Sequence, residues 1–221
     1  MGIGRREFLR LTSLAITGLT FDPLQAVLTP SNLYINKKLG IMFRKPDSWG
    51  FVNIKDFGKL KDEQILGNGW NEMKEEVWED LGDPICIITK YPNDDPEFKG
   101  VFSPTITVQI TPKEDLNELW IYNNFDDLLK LSEIATTEIL RDFIVIKRYD
   151  PYFICDSKFY EFDTEYLFEH VDLKKPIKVE LKVLKTEYNG FYYDFNLHQC
   201  PNQNQRAESE FRQFIKSIKL I

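Results

Sequence analysis

The segment that most constrains this chain runs from Ser157 to Leu197, where three alternating runs follow one another and an Asn189-Gly190 pair separates the last two. Ile177, Val179, Leu181 and Val183 alternate with Lys178, Glu180 and Lys182, the period-two pattern of a strand with one buried face. Phe191, Tyr193, Phe195 and Leu197 alternate in the same way with Tyr192, Asp194, Asn196 and His198. Placing both apolar sets on one inner surface requires a three-residue loop, Tyr188-Asn189-Gly190, with glycine in the left-handed position. That loop sets Val183 opposite Phe195 and Leu181 opposite Leu197. A two-residue loop would set Val183 opposite Asn196 and turn one apolar set over, so the longer loop is the expectation.

The preceding strand is read from Tyr160, Phe162, Thr164, Tyr166 and Phe168. A turn at residues 172–175 would pair Phe168 with Val179 and Tyr166 with Leu181. On the other face it sets Glu169 against Lys178 and Glu165 against Lys182, pairs that each contribute about 0.2–1 kcal/mol. Asn202, with Gln205 three residues on, has the chemistry of a helix cap. Ala207, Phe211, Phe214, Ile215 and Ile218 then form one apolar stripe, expected to seal the same inner surface.

Upstream, residues 39–43 read as a first strand ended by Pro46, and residues 57–66 as no more than a short helix. Met73, Val77 and Leu81 share a helical face in residues 71–81. Residues 85–91 and 105–111 are predicted strands. Asn124 caps a predicted helix over 125–140, with Leu128, Leu131, Ala135 and Ile139 on one side, and a short strand follows at 143–147. The fold class is therefore α+β, a central antiparallel sheet flanked by helices in an α/β/α sandwich. At 221 residues and 43% apolar, the chain suffices for one well-buried domain. Its net charge of −7 is interspersed with lysines, which argues against a nucleic-acid partner. No apolar run reaches the ~18 residues that a membrane-spanning helix needs.

Gly4-Arg5-Arg6-Glu7-Phe8-Leu9-Arg10 resembles the twin-arginine export signal, with Arg5, Arg6, Phe8 and Leu9 carrying the match and a moderately apolar stretch after it. The resemblance implies passage through the Tat translocase in the folded state. It also implies a periplasmic or otherwise exported location, or the thylakoid lumen in a photosynthetic source. Residues 1–30 are accordingly assigned to signal and linker and residues 31–221 to a single domain, with a weak cleavage site at Ala26.

Leu39-Gly40-Ile41, Phe43, Pro46 and Trp49 resemble the opening motif of the PsbP-like proteins. Tyr192-Tyr193 and the Phe211, Phe214-Ile215, Ser217-Ile218 pattern are similar to that family's closing strand and helix. The family includes extrinsic photosystem II subunits and many exported bacterial proteins, and the resemblance implies its central antiparallel sheet. The matching residues are of core type and carry fold, not function.

Chemistry is sparse. In the expected registers His170 faces inward and His198 outward, so the two share no ligand and no metal site is assigned. Cys86, Cys155 and Cys200 have no close spacing, and Cys86 is expected buried. Glu161, Asp163, Glu165 and Glu169 read as a solvated charged face and not as a calcium or manganese site. Phosphate-loop, dinucleotide and nucleophile-elbow patterns are missing. No catalytic, cofactor-binding or metal residue is assigned. The expected role is an exported, non-catalytic accessory or binding protein, for a cell-envelope protein or a small apolar ligand. Trp70, Trp78, Trp120 and Tyr122 are its candidate contacts. The alternatives are a hydrolase-type or other enzyme whose site assembles from scattered residues, and a photosystem II accessory subunit.

Overall fold

A computed structural model describes residues 27–28, 32–67, 69–81, 84–91, 96–98, 101–117, 124–202 and 207–221. The export motif at Arg5, Arg6, Phe8 and Leu9, and the contact candidates Trp120 and Tyr122, lie outside these residues. In chain order the first half contains β1 (Val27–Leu28), β2 (Leu33–Asn36), β3 (Ile41–Arg44), β4 (Gly50–Phe51), α1 (Ile54–Glu63), β5 (Gln64–Ile65), α2 (Lys74–Leu81), β6 (Cys86–Thr89), β7 (Thr105–Pro112) and α3 (Lys113–Asn117). The second half contains α4 (Phe125–Ile139), β8 (Arg141–Arg148), β9 (Tyr152–Ile154), β10 (Ser157–His170), β11 (Ile177–Tyr188), β12 (Phe191–Gln199), α5 (Ala207–Ser217) and β13 (Lys219–Leu220). The main sheet runs β4-β6-β7-β12-β11-β10, and β9, β8 and β5 share the outer edge of β10. A smaller sheet, β1-β2-β3-β13, is also antiparallel. The expected α+β architecture, an antiparallel sheet with helices on it, is the one observed. Among the described residues no helix is long and apolar enough to cross a membrane.

Each face of the main sheet has its own core. Ile106, Val108 and Ile110 of β7, Tyr193, Phe195 and Leu197 of β12, and Leu184 of β11 pack under α5 and the small sheet. Phe214 of α5 meets Phe43 edge-on at 5.2 Å, and Phe211 meets Trp49 at 5.9 Å. The two stretches that carry the PsbP-like resemblance therefore pack against each other. Such apolar burial stabilises by about 1.5–3 kcal/mol per large side chain. On the opposite face Leu181, Val183, Thr164 and Tyr166 lie with Asp194, Asn196 and Gln109, all buried. Here α4 supplies the cover through Leu128, Ser132, Ala135, Thr136 and Ile139. Asn124 starts α4 as expected, its side chain accepting from the Asp127 N–H at 2.9 Å.

The hairpin register differs from the expectation. Val183 lies opposite Asn196, and Phe195 lies opposite Leu184. Asn189 and Gly190 have φ of 44° and 81°, so the loop has two residues, both left-handed, and Tyr188 pairs directly with Phe191. Alternation failed because the premise of one buried face is wrong: residues 183–186 and 192–197 are buried throughout. With both faces covered, Val183 and Phe195 belong to different cores, and turn geometry alone fixes the pairing. The α5 stripe seals the face of Phe195 and not that of Val183.

The β10–β11 register is two residues from the expectation: Phe168 pairs with Ile177, Tyr166 with Val179 and Thr164 with Leu181. The faces are unchanged, but Glu165 now lies opposite Glu180. Charge complementarity survives diagonally for Lys178 Nζ, 2.5 Å from Glu165, and for Lys182 Nζ, 2.8 Å from Glu161, and directly between Lys182 and Asp163. Long lysines reach across either register, so the charge pattern could not separate the two. Asn202 is a turn residue, and the described part of the last helix begins later, at Ala207.

Candidate functional site

A cavity of about 300 Å³ opens on the polar face of the main sheet, between the strands and the α1, α2 and 101–103 segments. Its outer walls are apolar because the covering helices are amphipathic. Asn53 caps α1 by accepting from the Asp56 N–H at 3.0 Å, which aims Phe57 and Leu60 inward. Phe57 and Trp78 of α2 meet edge-on at 6.4 Å, and Phe102 meets Phe168 of β10 in the same manner at 5.4 Å.

The floor is polar because alternation along β7 places Thr105 and Thr107 on this face, while Ile106 and Val108 face the other core. Beside them the Tyr166 hydroxyl lies 3.1 Å from Nδ1 of His198. Burial pushes the Tyr166 phenol up and lowers His198 to about 4, so both are neutral at pH 7. A phenol is the stronger donor of the pair and an imidazole nitrogen the stronger acceptor, so the shared proton is assigned to the Tyr166 hydroxyl and the imidazole proton to Nε2.

His170 lines the same cavity, near its rim. The expectation that His170 and His198 lie on opposite faces is thus corrected: the two-residue turn shifts β12 by one residue and brings His198 to the face of His170. Nε2 of His170 is 3.4 Å from Glu63, and its Nδ1 accepts the Asp172 N–H at 3.2 Å. Glu63, His170 and Asp172 bring their ligand-type atoms within 4.8 Å of one another. An Nδ1 that accepts places the ring proton on Nε2, against Glu63, where a metal would need a lone pair. The trio reads as a turn held by polar contacts of a neutral imidazole.

Elsewhere on the same face of the sheet Lys185 and Asp194, both buried, pair at 2.5 Å. Desolvation raises Asp194 to about 6 against the opposing pull of Lys185. The acidic ladder, expected to be solvated, is half-buried and held by Lys182 and by hydroxyls: Tyr152 donates to Glu161 at 2.7 Å and Tyr149 to Asp163 at 2.6 Å. Trp70 and Trp78 are half-buried, and Trp78 faces the cavity. Cys86, expected buried, is half-buried with its thiol pushed up by desolvation, while Cys200 is the buried one and Cys155 is exposed; the three form no disulfide. Sequence reading missed Tyr166, Thr107 and Phe102 as site residues. The signal for the first two was present: hydroxyl-bearing residues on the inward positions of central strands mark a covered face that is polar.

No family model and no curated protein matches the sequence. Among solved structures, the chain is similar to the cyanobacterial PsbP protein CyanoP of Synechocystis, with 12% identity and a TM-score of 0.48 over 88% of this chain and 95% of that one. It is also similar to LpqN of Mycobacterium tuberculosis, described as involved in cell envelope biogenesis, with 11% identity and a TM-score of 0.46 over 88% of both chains. PA94 of Pseudomonas aeruginosa, a protein of unknown function, matches at 14% identity and a TM-score of 0.44, over 59% of this chain and 78% of that one. Likenesses of this extent carry no function from one chain to the other.

Proposed function

We propose that this chain is an exported, non-catalytic accessory protein of the PsbP-like type, and that it works by holding a small apolar ligand in the cavity on the polar face of its main sheet. The observation that carries this reading is the cavity itself. At about 300 Å³ it falls at the lower end of the range for small-molecule sites, roughly 300–1,000 Å³. Its aromatic walls and few polar groups match the usual make-up of such sites. Export is supported by the Arg5-Arg6 motif, and the PsbP-like assignment by the Leu39–Trp49 and Phe211–Ile218 residues that share one core.

An enzyme reading would be favoured by two convergent carboxylates in one pocket. Among the described lining residues Asp172 is the one carboxylate, which favours binding over catalysis. The test is to express the full chain in a bacterium with a Tat system, recover it from the exported fraction and extract it with organic solvent for mass spectrometry. A stoichiometric small molecule, lost on Leu181→Trp substitution, is the expected result. An empty extract, with no shift in melting temperature across a library of small apolar compounds, overturns the binding reading. Unchanged export after Arg5→Lys and Arg6→Lys overturns the localisation.

A further inference from the structure

The chemistry of the cavity restricts what it can hold. Phe57, Trp78, Phe102 and Phe168 supply flat apolar walls, suited to a ring. Among the described lining residues there is no lysine or arginine, and Asp172 is exposed, so an anion would be desolvated with no cation to meet it. A cation fares no better at depth, because the one carboxylate among the described lining residues, Asp172, is exposed and leaves a desolvated cation unpaired. The Tyr166 hydroxyl is committed to Nδ1 of His198, which puts a donor N–H on the other ring nitrogen. His198 makes no other side-chain hydrogen bond among the described residues. His198 lines the cavity half-buried, and an N–H there with no protein partner is stabilised by an acceptor.

We infer that the occupant is a neutral molecule with a flat apolar body and a carbonyl oxygen, bound with that oxygen on the Nε2–H of His198. This rests on the cavity being a binding site, and it adds the ligand class and the residue that reads it. His198 is here a recognition residue whose tautomer Tyr166 sets across β11.

The test uses the purified protein at pH 7 and four bicyclic probes of similar size: 1-tetralone, tetralin, 1-naphthoate and 1-naphthylmethylammonium. Dissociation constants are read by NMR titration. 1-Tetralone is expected to bind about three- to tenfold more tightly than tetralin, the effect of one neutral hydrogen bond. It is also expected to bind more tightly than either ion and to shift the His198 imidazole resonances. His198→Phe is expected to bring 1-tetralone and tetralin within twofold of each other, and His198→Gln, which keeps an N–H donor, to restore the preference. Equal binding of 1-tetralone and tetralin by the wild-type protein overturns the carbonyl assignment while leaving a binding cavity. Tightest binding of 1-naphthoate or the ammonium probe overturns neutrality in the same way. Binding of none of the four, with no shift at His198, Trp78 or Phe102, overturns the cavity as a site and this inference with it.

Discussion

The Tyr166 hydroxyl spans β11 to reach His198, 3.1 Å from Nδ1, and so links the floor of the cavity from β10 to β12. Burial holds both groups neutral at pH 7, lowering the imidazole to about 4 from its ordinary 6.5 and raising the phenol.

His198 has a folded pKa of about 4 against 6.5 unfolded, so between these values the unfolded chain binds more protons. Its contribution is complete above 6.5 and is lost as pH falls towards 4. Asp194 runs the other way: with a folded value of about 6 against 3.8, its contribution is complete below 3.8 and is lost as pH rises towards 6. The two slopes oppose each other between pH 4 and 6. His198→Gln should leave a protein that loses stability as pH rises through that window, and Asp194→Asn one that loses it as pH falls. Each change should be about 1–3 kcal/mol. Urea denaturation at pH 4.5 and 6.5 reads both, and slopes of the same sign would contradict the assignment.

The buried Lys185–Asp194 pair makes a sharper demand. Lys185→Met strands a carboxylate and should cost about 3–5 kcal/mol at pH 8. Lys185→Met with Asp194→Leu should recover most of that loss. If the double variant is as unstable as the single one, the cost lies in packing and not in the stranded charge.

At the β11–β12 turn, Gly190 has φ of 81° with open space where a Cβ would sit, so Gly190→Ala carries conformational strain without a clash. A loss of about 1–2 kcal/mol is expected from equilibrium unfolding. Asn189→Gly should change stability by less than about 1 kcal/mol, since glycine also accepts the left-handed conformation.

The cysteines should separate by accessibility. A chromogenic disulfide reagent should titrate Cys155 rapidly in the native protein and all three thiols in guanidinium. Rapid loss of two or three native thiols would show Cys86 or Cys200 to be reachable.

Much of the architecture was legible because Phe43, Trp49, Phe211 and Phe214 sit at positions where strand and helix periods are clear. The pairing of strands was not. Reading Val183 and Phe195 as neighbours assumed one wet face, and no local pattern reports that α4 covers the other side. Once that assumption fails, His198 changes face and the cavity acquires its polar floor. The site is thus hidden from sequence at one dipeptide: Asn189-Gly190 names the correct turn, but the alternation beside it argued for a loop one residue longer.

Gly40 lies at φ of 63° where a Cβ would come within 2.9 Å of the Ile221 carbonyl, while the Ile221 N–H donates to the Gly40 carbonyl at 2.8 Å. Leu39 next to it accepts from the Tyr193 hydroxyl at 2.8 Å. Strand β3 is therefore clasped by residues some 180 positions downstream, and β13 closes its sheet only once positions 219–221 have left the ribosome. A nascent chain must carry Ile41 and Phe43 unshielded until residues 219–221 have been made, and such late ring closure slows folding. That interval is when a chaperone would have the most of this protein to hold.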